Sequence, residues 1–125
     1  DHFVVAHTGN IGLKQDLGNV VEAGRLLRST TDLKLLIIGD GSQRAAIFEQ
    51  ARDVDSLAML PPLSEEEYPL ALAAADVLLV NERATVGDMS LPSKLTSYFS
   101  TGSPVLAAVL APAVGRLSKL RILAI

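Results

Sequence analysis

Leu33-Lys34-Leu35-Leu36-Ile37-Ile38-Gly39-Asp40-Gly41-Ser42-Gln43-Arg44-Ala45-Ala46-Ile47-Phe48-Glu49-Gln50-Ala51 is the stretch on which the fold turns. Its first six residues are apolar except for Lys34 and are closed by turn residues, which predicts a strand. Gly39 to Ser42 then lead into a helix through Ala45, Ile47, Phe48 and Ala51. Upstream, Phe3-Val4-Val5-Ala6-His7 is a second short run with adjacent β-branched residues, closed by Thr8-Gly9-Asn10, and reads as another buried strand. Leu17, Val20, Val21, Gly24 and Leu27 follow at helical spacing and predict a helix from Asp16, its expected N-cap, to about Ser29. Two β-α units therefore stand in sequence.

The alternation continues downstream. Leu57 to Leu60 predicts a third strand, stopped by Pro61-Pro62. Ser64-Glu65-Glu66-Glu67 has the spacing of a capping box, in which Ser and Glu side chains satisfy each other's backbone amides. Pro69 breaks a helix interior, so a first turn at 65–68 and a main helix opening at Pro69 are expected, continuing through Leu70 to Ala75. Asp76 to Val80 is the fourth predicted strand, and Asn81 to Ser90 the longest loop. Leu91-Pro92-Ser93-Lys94 opens a fourth helix to about Thr101, with Gly102 as its C′ residue and a fifth strand from Pro104 to Val109. Five strands alternating with four helices predict an α/β doubly wound parallel sheet in three layers, over a domain of residues 1–109. Residues 110–125 form an atypical basic and apolar tail, with Arg116, Lys119 and Arg121 among Leu117, Leu120, Ile122, Leu123 and Ile125.

Composition bounds the chemistry. The 125 residues suit one domain, and five aromatics among 49 % hydrophobic residues mean an aliphatic core. Zero cysteines exclude disulfides and cysteine-ligated zinc. All 14 acids lie at or before Asp88, and beyond it stand only Lys94, Arg116, Lys119 and Arg121. That asymmetry fits either an anion site or merely a basic end segment. A pI near 5.2, with no basic run interleaved with aromatics, argues against nucleic acid. The apolar stretch Pro69 to Val80 contains Asp76 and falls short of the ~20 residues a membrane span needs. The first residues lack the order of a signal peptide, and a cytoplasmic location is expected, with the inner face of a membrane as the alternative for a longer protein.

Ligands of doubly wound sheets sit beyond the carboxyl ends of the strands, which selects the loops 8–15, 39–42, 61–64 and 81–93. In the first, Gly9 and Gly12 stand three apart with Lys14 following: glycines let backbone amides approach a phosphate, and an ammonium supplies countercharge. Two turn glycines and a solvated lysine are the plain alternative. The spacing is not that of a P-loop. Gly39-Asp40-Gly41 sits between strand and helix as a dinucleotide fingerprint would, but Arg44 occupies the place of the third glycine. Asp40 reads equally as a helix N-cap or Asx turn. A helix opening at Pro92 leaves the Ser93 and Lys94 amides free for an anion. His2 and His7 make no convincing metal pair, no G-x-S-x-G elbow exists, and Glu65-Glu66-Glu67 is charge at a helix start.

Read together, Gly9-Asn10-Ile11-Gly12-Leu13-Lys14-Gln15, Ile37-Ile38-Gly39-Asp40-Gly41, Leu72-Ala73-Ala74-Ala75-Asp76-Val77, Leu91-Pro92-Ser93-Lys94-Leu95 and Gly102-Ser103-Pro104-Val105 resemble the C-terminal half of a GT-B glycosyltransferase of the group 1 (family 4) type. Among these, they are most similar to bacterial exopolysaccharide enzymes of the colanic-acid kind. The resemblance spans about residues 3–109. It implies a Rossmann-like domain of a retaining hexosyltransferase that binds a nucleotide-diphosphate sugar of the UDP or GDP type, with no further cofactor and no obligatory metal. The acceptor is expected on a separate N-terminal domain.

By position, the resemblance places Gly12 and Lys14 near the diphosphate, and Gly41 and Pro61 near the nucleotide. The amides of the Leu91-Pro92-Ser93-Lys94 helix start would face phosphate. Family members usually carry two glutamates eight apart. Here those positions are Met89 and Ser97, with Asp88 adjacent, so Ser97 becomes the expected ribose contact and Asp88 the expected sugar-hydroxyl partner. A serine accepts one weak bond where a carboxylate accepts two charge-assisted ones. Lys14 and Asp88 are the expected catalytic pair. The Asp53-Val54-Asp55 pair precedes the third strand, at the wrong end of the sheet for a donor metal. Two rival readings stand beside this one: a NAD-type dinucleotide enzyme half, and a non-catalytic assembly module with a degenerate site. A homodimer through an exposed apolar face is kept open.

Overall fold

The computed structural model describes residues 2–83, 94–108 and 122–124. The apolar runs become strands β1 (Phe3–Thr8), β2 (Leu33–Ile38), β3 (Leu57–Leu60), β4 (Val77–Asn81) and β5 (Val105–Ala108). Between them lie helices α1 (Gly18–Leu26), α2 (Arg44–Gln50), α3 (Glu67–Ala74) and α4 (Lys94–Phe99). A sixth strand, β6 (Ile122–Ala124), comes from the end segment and pairs in parallel with β5, from Val105↔Ile122 to Ala107↔Ala124.

All pairings are parallel, in the order β3-β2-β1-β4-β5-β6. The chain starts in the middle, winds outward to β3, then returns to the other side of β1 and winds outward again. The strands alternate their side chains between two cores, as period-2 geometry demands. Leu33, Leu35 and Ile37 of β2 and Leu79 of β4 join Val20, Val21 and Ile47 of α1 and α2 on one face. Leu78 and Val80 of β4 join Ala6, Leu72, Leu95 and Tyr98 on the other, under α3 and α4. The expected three-layer, doubly wound α/β architecture is what the chain adopts. Among the described residues no helix is long and apolar enough to cross a membrane.

Two helix starts differ from expectation. Asp16 does not cap α1: it takes a positive φ of 49°, and its Oδ1 instead accepts from Arg83 at 3.3 Å. Regular α1 begins at Gly18 and ends at Leu26, followed by a turn in which the Thr30 N–H bonds the Leu27 carbonyl. The capping box is present in both directions, Ser64 N–H to Glu67 Oε1 at 3.2 Å and Glu67 N–H to Ser64 Oγ at 3.1 Å. Pro69 does not open the main helix but lies within the first turn of α3, where its missing N–H costs little. Replacing Ser64 by alanine is expected to cost about 1 kcal/mol, read as a lower urea midpoint with unchanged slope.

Candidate functional site

The strand order reverses between β1 and β4, which share the centre of the sheet through Val5↔Val77 and Ala6↔Leu78. In sheets of this kind the usual ligand position is this reversal point, beyond the carboxyl ends of the strands. The loop after β1 is tied down from both sides. Gly9 N–H bonds the Ile38 carbonyl at 2.9 Å, Ile11 N–H the Asp40 carbonyl at 2.9 Å, and Gln43 N–H the Ile11 carbonyl at 2.8 Å. Buried Asn81 at the end of β4 donates its Nδ2 to the Gln15 carbonyl at 2.7 Å and the Asp16 carbonyl at 3.0 Å. Residues 9–16 are thereby held as a rigid shelf.

Two lysines reach this shelf from opposite directions. Lys14 belongs to it, and its Nζ lies 3.7 Å from Glu82 Oε2 just past β4. Lys94 opens α4 and extends back over Gly9: a Cβ built on Gly9 would lie 3.7 Å from the Lys94 Nζ. Below it, His7 on β1 is fully buried, and its Nε2 donates to the Asn10 carbonyl at 3.3 Å, since a carbonyl only accepts. That leaves Nδ1 as an acceptor, and Lys94 Nζ donates to it at 3.3 Å. One tautomer of neutral histidine satisfies both contacts.

Electrostatics agree with the geometry. Burial, then the neighbouring Lys94 charge, push the His7 imidazole down to about 3, against the smaller opposite pull of its bond to Asn10. Burial lowers the Lys94 ammonium to about 8, with the nearby Glu82 carboxylate acting in the opposite direction. Next to this pair, the Tyr98 hydroxyl of α4 accepts from the Thr8 N–H at 2.9 Å and shares a bond with Thr8 Oγ1 at 2.9 Å. Burial pushes that phenol up to about 12, so it is a structural tie between α4 and the end of β1 and not a proton carrier near neutrality.

The fold brings some of the residues singled out from sequence together and keeps others apart. Gly12 lies on the shelf, and its N–H donates to Gln15 Oε1 at 3.0 Å. Lys14 lies on the shelf beside Glu82, and the Lys94 ammonium reaches back over Gly9. Gly41 sits where the 10–11 segment crosses it, with room for a Cβ denied by the Ile11 carbonyl at 2.4 Å. Pro61 is exposed immediately after β3, two strands away from β1. Ser97 is partly buried on α4, its carbonyl accepting the Ser100 hydroxyl at 2.6 Å. Asp88, Leu91, Pro92 and Ser93 lie outside the described residues. Asp53 and Asp55 lie before β3, at the opposite end of the sheet, and Asp53 pairs with Arg25 at 2.7 Å. Sequence spacing carried no sign of His7, Asn81 or Glu82 as builders of the site, because their partners are 65 or more positions away in the case of Asn81 and 87 in the case of His7.

No family model matches the chain. A curated relative does: over 101 residues the chain is 35 % identical to the Escherichia coli K12 protein WcaI, assigned as a colanic acid biosynthesis glycosyl transferase. Solved structures superpose on the same fold at lower identity. The catalytic domain of the cholesterol-alpha-glucosyltransferase of Helicobacter pylori matches with a TM-score of 0.76 at 17 % identity, over 94 % of this chain and 71 % of that one. The lipopolysaccharide glycosyltransferase WaaG matches with a TM-score of 0.74 at 15 % identity, over 98 % of this chain and 34 % of that one. The chain is a GT-B glycosyltransferase domain of the group 1 type. This GT-B domain has the Rossmann-like sheet that the resemblance implied. It covers 79 % of its own length in the match to WcaI but only 25 % of WcaI, so it spans about a quarter of that relative. Anabaena HepE, solved in complex with UDP-glucose, superposes with a TM-score of 0.72 at 18 % identity, over 94 % of this chain and 32 % of that one.

The dinucleotide reading loses its ground in this topology. A dinucleotide fingerprint occupies the first β-α turn of its unit. Here Gly39-Asp40-Gly41 follows β2, and both glycines are required by the shelf that crosses them.

Proposed function

We propose that this domain holds the nucleoside diphosphate of a sugar donor, UDP- or GDP-linked, beyond the carboxyl ends of β1 and β4. It would do so as the donor half of a retaining hexosyltransferase. The observation that carries this reading is the placement of Lys14 on the 9–16 shelf and of the Lys94 ammonium over Gly9, at the reversal point of the strand order. Cations fixed there neutralise the charge that grows on a departing diphosphate, and being fixed beforehand they need no reorganisation when the bond breaks. Support also comes from the 35 % identity to WcaI and from HepE, which was solved with UDP-glucose.

The acceptor belongs to a separate N-terminal domain on this reading. A donor site open to water on one side neither orients an acceptor nor excludes hydrolysis, so the chain alone binds donor weakly and transfers nothing. The domain works in the cytoplasm, where nucleotide sugars are made. Titration of the chain with UDP, GDP, ADP and NAD, followed by amide NMR, is the direct test. Saturable shifts at residues 8–15 and 94–97 with UDP or GDP are expected. Shifts confined to 39–45 with NAD would move the assignment to a dinucleotide enzyme, and a folded chain indifferent to all four would leave an assembly module.

A further inference from the structure

Three consecutive residues at and just past the end of β4 each engage the shelf. Buried Asn81 donates Nδ2 to the Gln15 and Asp16 carbonyls, and the Arg83 N–H donates to the Lys14 carbonyl at 2.6 Å. Glu82, between them, sends its carboxylate to Lys14, with Oε2 3.7 Å from Nζ. The chain on both sides of Glu82 is thereby fixed to the shelf, and its side chain alone is left to turn. That side chain is 12 % exposed against 45 % for Lys14, so it is not a charge held out in water. A carboxylate withdrawn from water needs a cation beside it. The Glu82 charge also supports the ammonium of Lys94, which lies over Gly9, against the lowering that burial imposes. One carboxylate therefore serves both lysines at the place where the proposed donor puts its phosphates. It lowers the cost of keeping cations partly out of water while the site is empty, and it repels any phosphate that enters.

We propose that Glu82 is a resident anion of this site, which pairs with the lysines while no donor is bound and gives them up to the diphosphate when one arrives. The inference rests on the donor reading above for the identity of the ligand and adds to it a carboxylate that competes with that ligand. Because Asn81 and Arg83 hold the chain on either side, the exchange is a change of rotamer of Glu82 and not a movement of the strand end. Glu82 acts through the lysines and touches no ligand, so it is a positioning residue.

The test compares the wild-type chain with Glu82→Gln and Glu82→Asp. Affinities are measured for UDP, GDP, inorganic pyrophosphate and the uncharged nucleosides uridine and guanosine, and the Glu82 ¹³Cδ resonance is followed in the wild type. Glutamine keeps the shape and removes the charge; aspartate keeps the charge one methylene further from Lys14. Glu82→Gln is expected to bind pyrophosphate and the nucleoside diphosphate roughly 5- to 20-fold more tightly, as relief of a like-charge contact does, with nucleoside affinity unchanged. Glu82→Asp should fall between the two, and the wild-type Glu82 signal should move saturably with pyrophosphate. A purely structural carboxylate would give no gain confined to charged ligands. If UDP or GDP binds and Glu82→Gln holds it no more tightly than the wild type, the proposal is overturned while the donor reading stands. Should Glu82→Gln not fold, a Glu82 signal unmoved at saturating pyrophosphate overturns it equally. If pyrophosphate gains in Glu82→Gln but neither UDP nor GDP binds to either protein, the resident anion is supported and the donor reading fails. Folded wild type and Glu82→Gln that bind none of the charged ligands overturn both.

Discussion

Gly39→Ala is expected to destabilise the chain by about 3–5 kcal/mol, enough to leave most of it unfolded. A Cβ at this position would stand 1.9 Å from the Gly9 carbonyl oxygen and 2.9 Å from its carbon, both backbone atoms. The Gly9 peptide cannot retreat, because its N–H is bonded to Ile38 at 2.9 Å and Ile11 is bonded to Asp40 at 2.9 Å. The φ of 149° adds a conformation that side chains with a Cβ avoid. A control separates the two costs. Gly102, three residues past the end of α4, has φ 73° with nothing within 4 Å of an added methyl, so Gly102→Ala should cost only about 1 kcal/mol. Urea unfolding of the two variants, side by side, measures the difference. Equal losses would mean that loop-against-loop packing at Gly39 is not what requires glycine there.

The second large effect is acid sensitivity centred on His7. The fold holds its imidazole neutral, down at about 3, whereas the unfolded chain protonates it near 6.5. Between those values the unfolded state binds the extra proton, so stability rises with pH and is lost as pH falls. The slope approaches about 1.4 kcal/mol per pH unit below pH 6.5, which amounts to about 2 kcal/mol between pH 6.5 and 4.5. Lys94, lowered to about 8, stays charged throughout that window and adds no slope of its own. Exposed Asp53, held below the usual carboxylate range by its bond to Arg25, loses its contribution in the same direction at lower pH. His7→Leu isolates the histidine: its stability should be nearly flat from pH 6.5 to 4.5 apart from such carboxylates. A variant that falls as steeply as the wild type would show that the imidazole is not kept neutral.

These two predictions concern residues that the sequence presents very differently. Gly39 was visible as half of a G-x-G pattern, and its chemistry was open between a ligand loop and a turn. The structure gives it a packing reason: the 9–11 segment crosses it on the way from β1 to α1. His7 looked like one of two isolated histidines without a metal partner. Its significance comes from Lys94, 87 positions away, and from the register that sets the end of β1 beneath the start of α4. Asp88, the expected sugar-hydroxyl partner, lies outside the described residues, whereas Ser97, the expected ribose contact, lies on α4.

Elements with a local cause were readable without tertiary structure. Apolar runs closed by glycine and proline became β1 to β5, because burial on both faces of a parallel sheet needs only continuous aliphatic character. The Ser64 and Glu67 pair became a capping box, because its bonds reach no further than one helical turn. The alternation of strand and helix was enough for a doubly wound sheet, and five spaced motifs carried the family. Only the tertiary structure decided what depends on distant residues meeting. Arg83 and Asn81 draw Asp16 out of its capping role and set the rigidity of the shelf. Ile122–Ala124 becomes a sixth strand because the β5 edge offers it hydrogen bonds. Glu82 pairs with Lys14 and also acts on Lys94, which bonds His7, contacts that follow from through-space charge and burial, to which sequence spacing is blind.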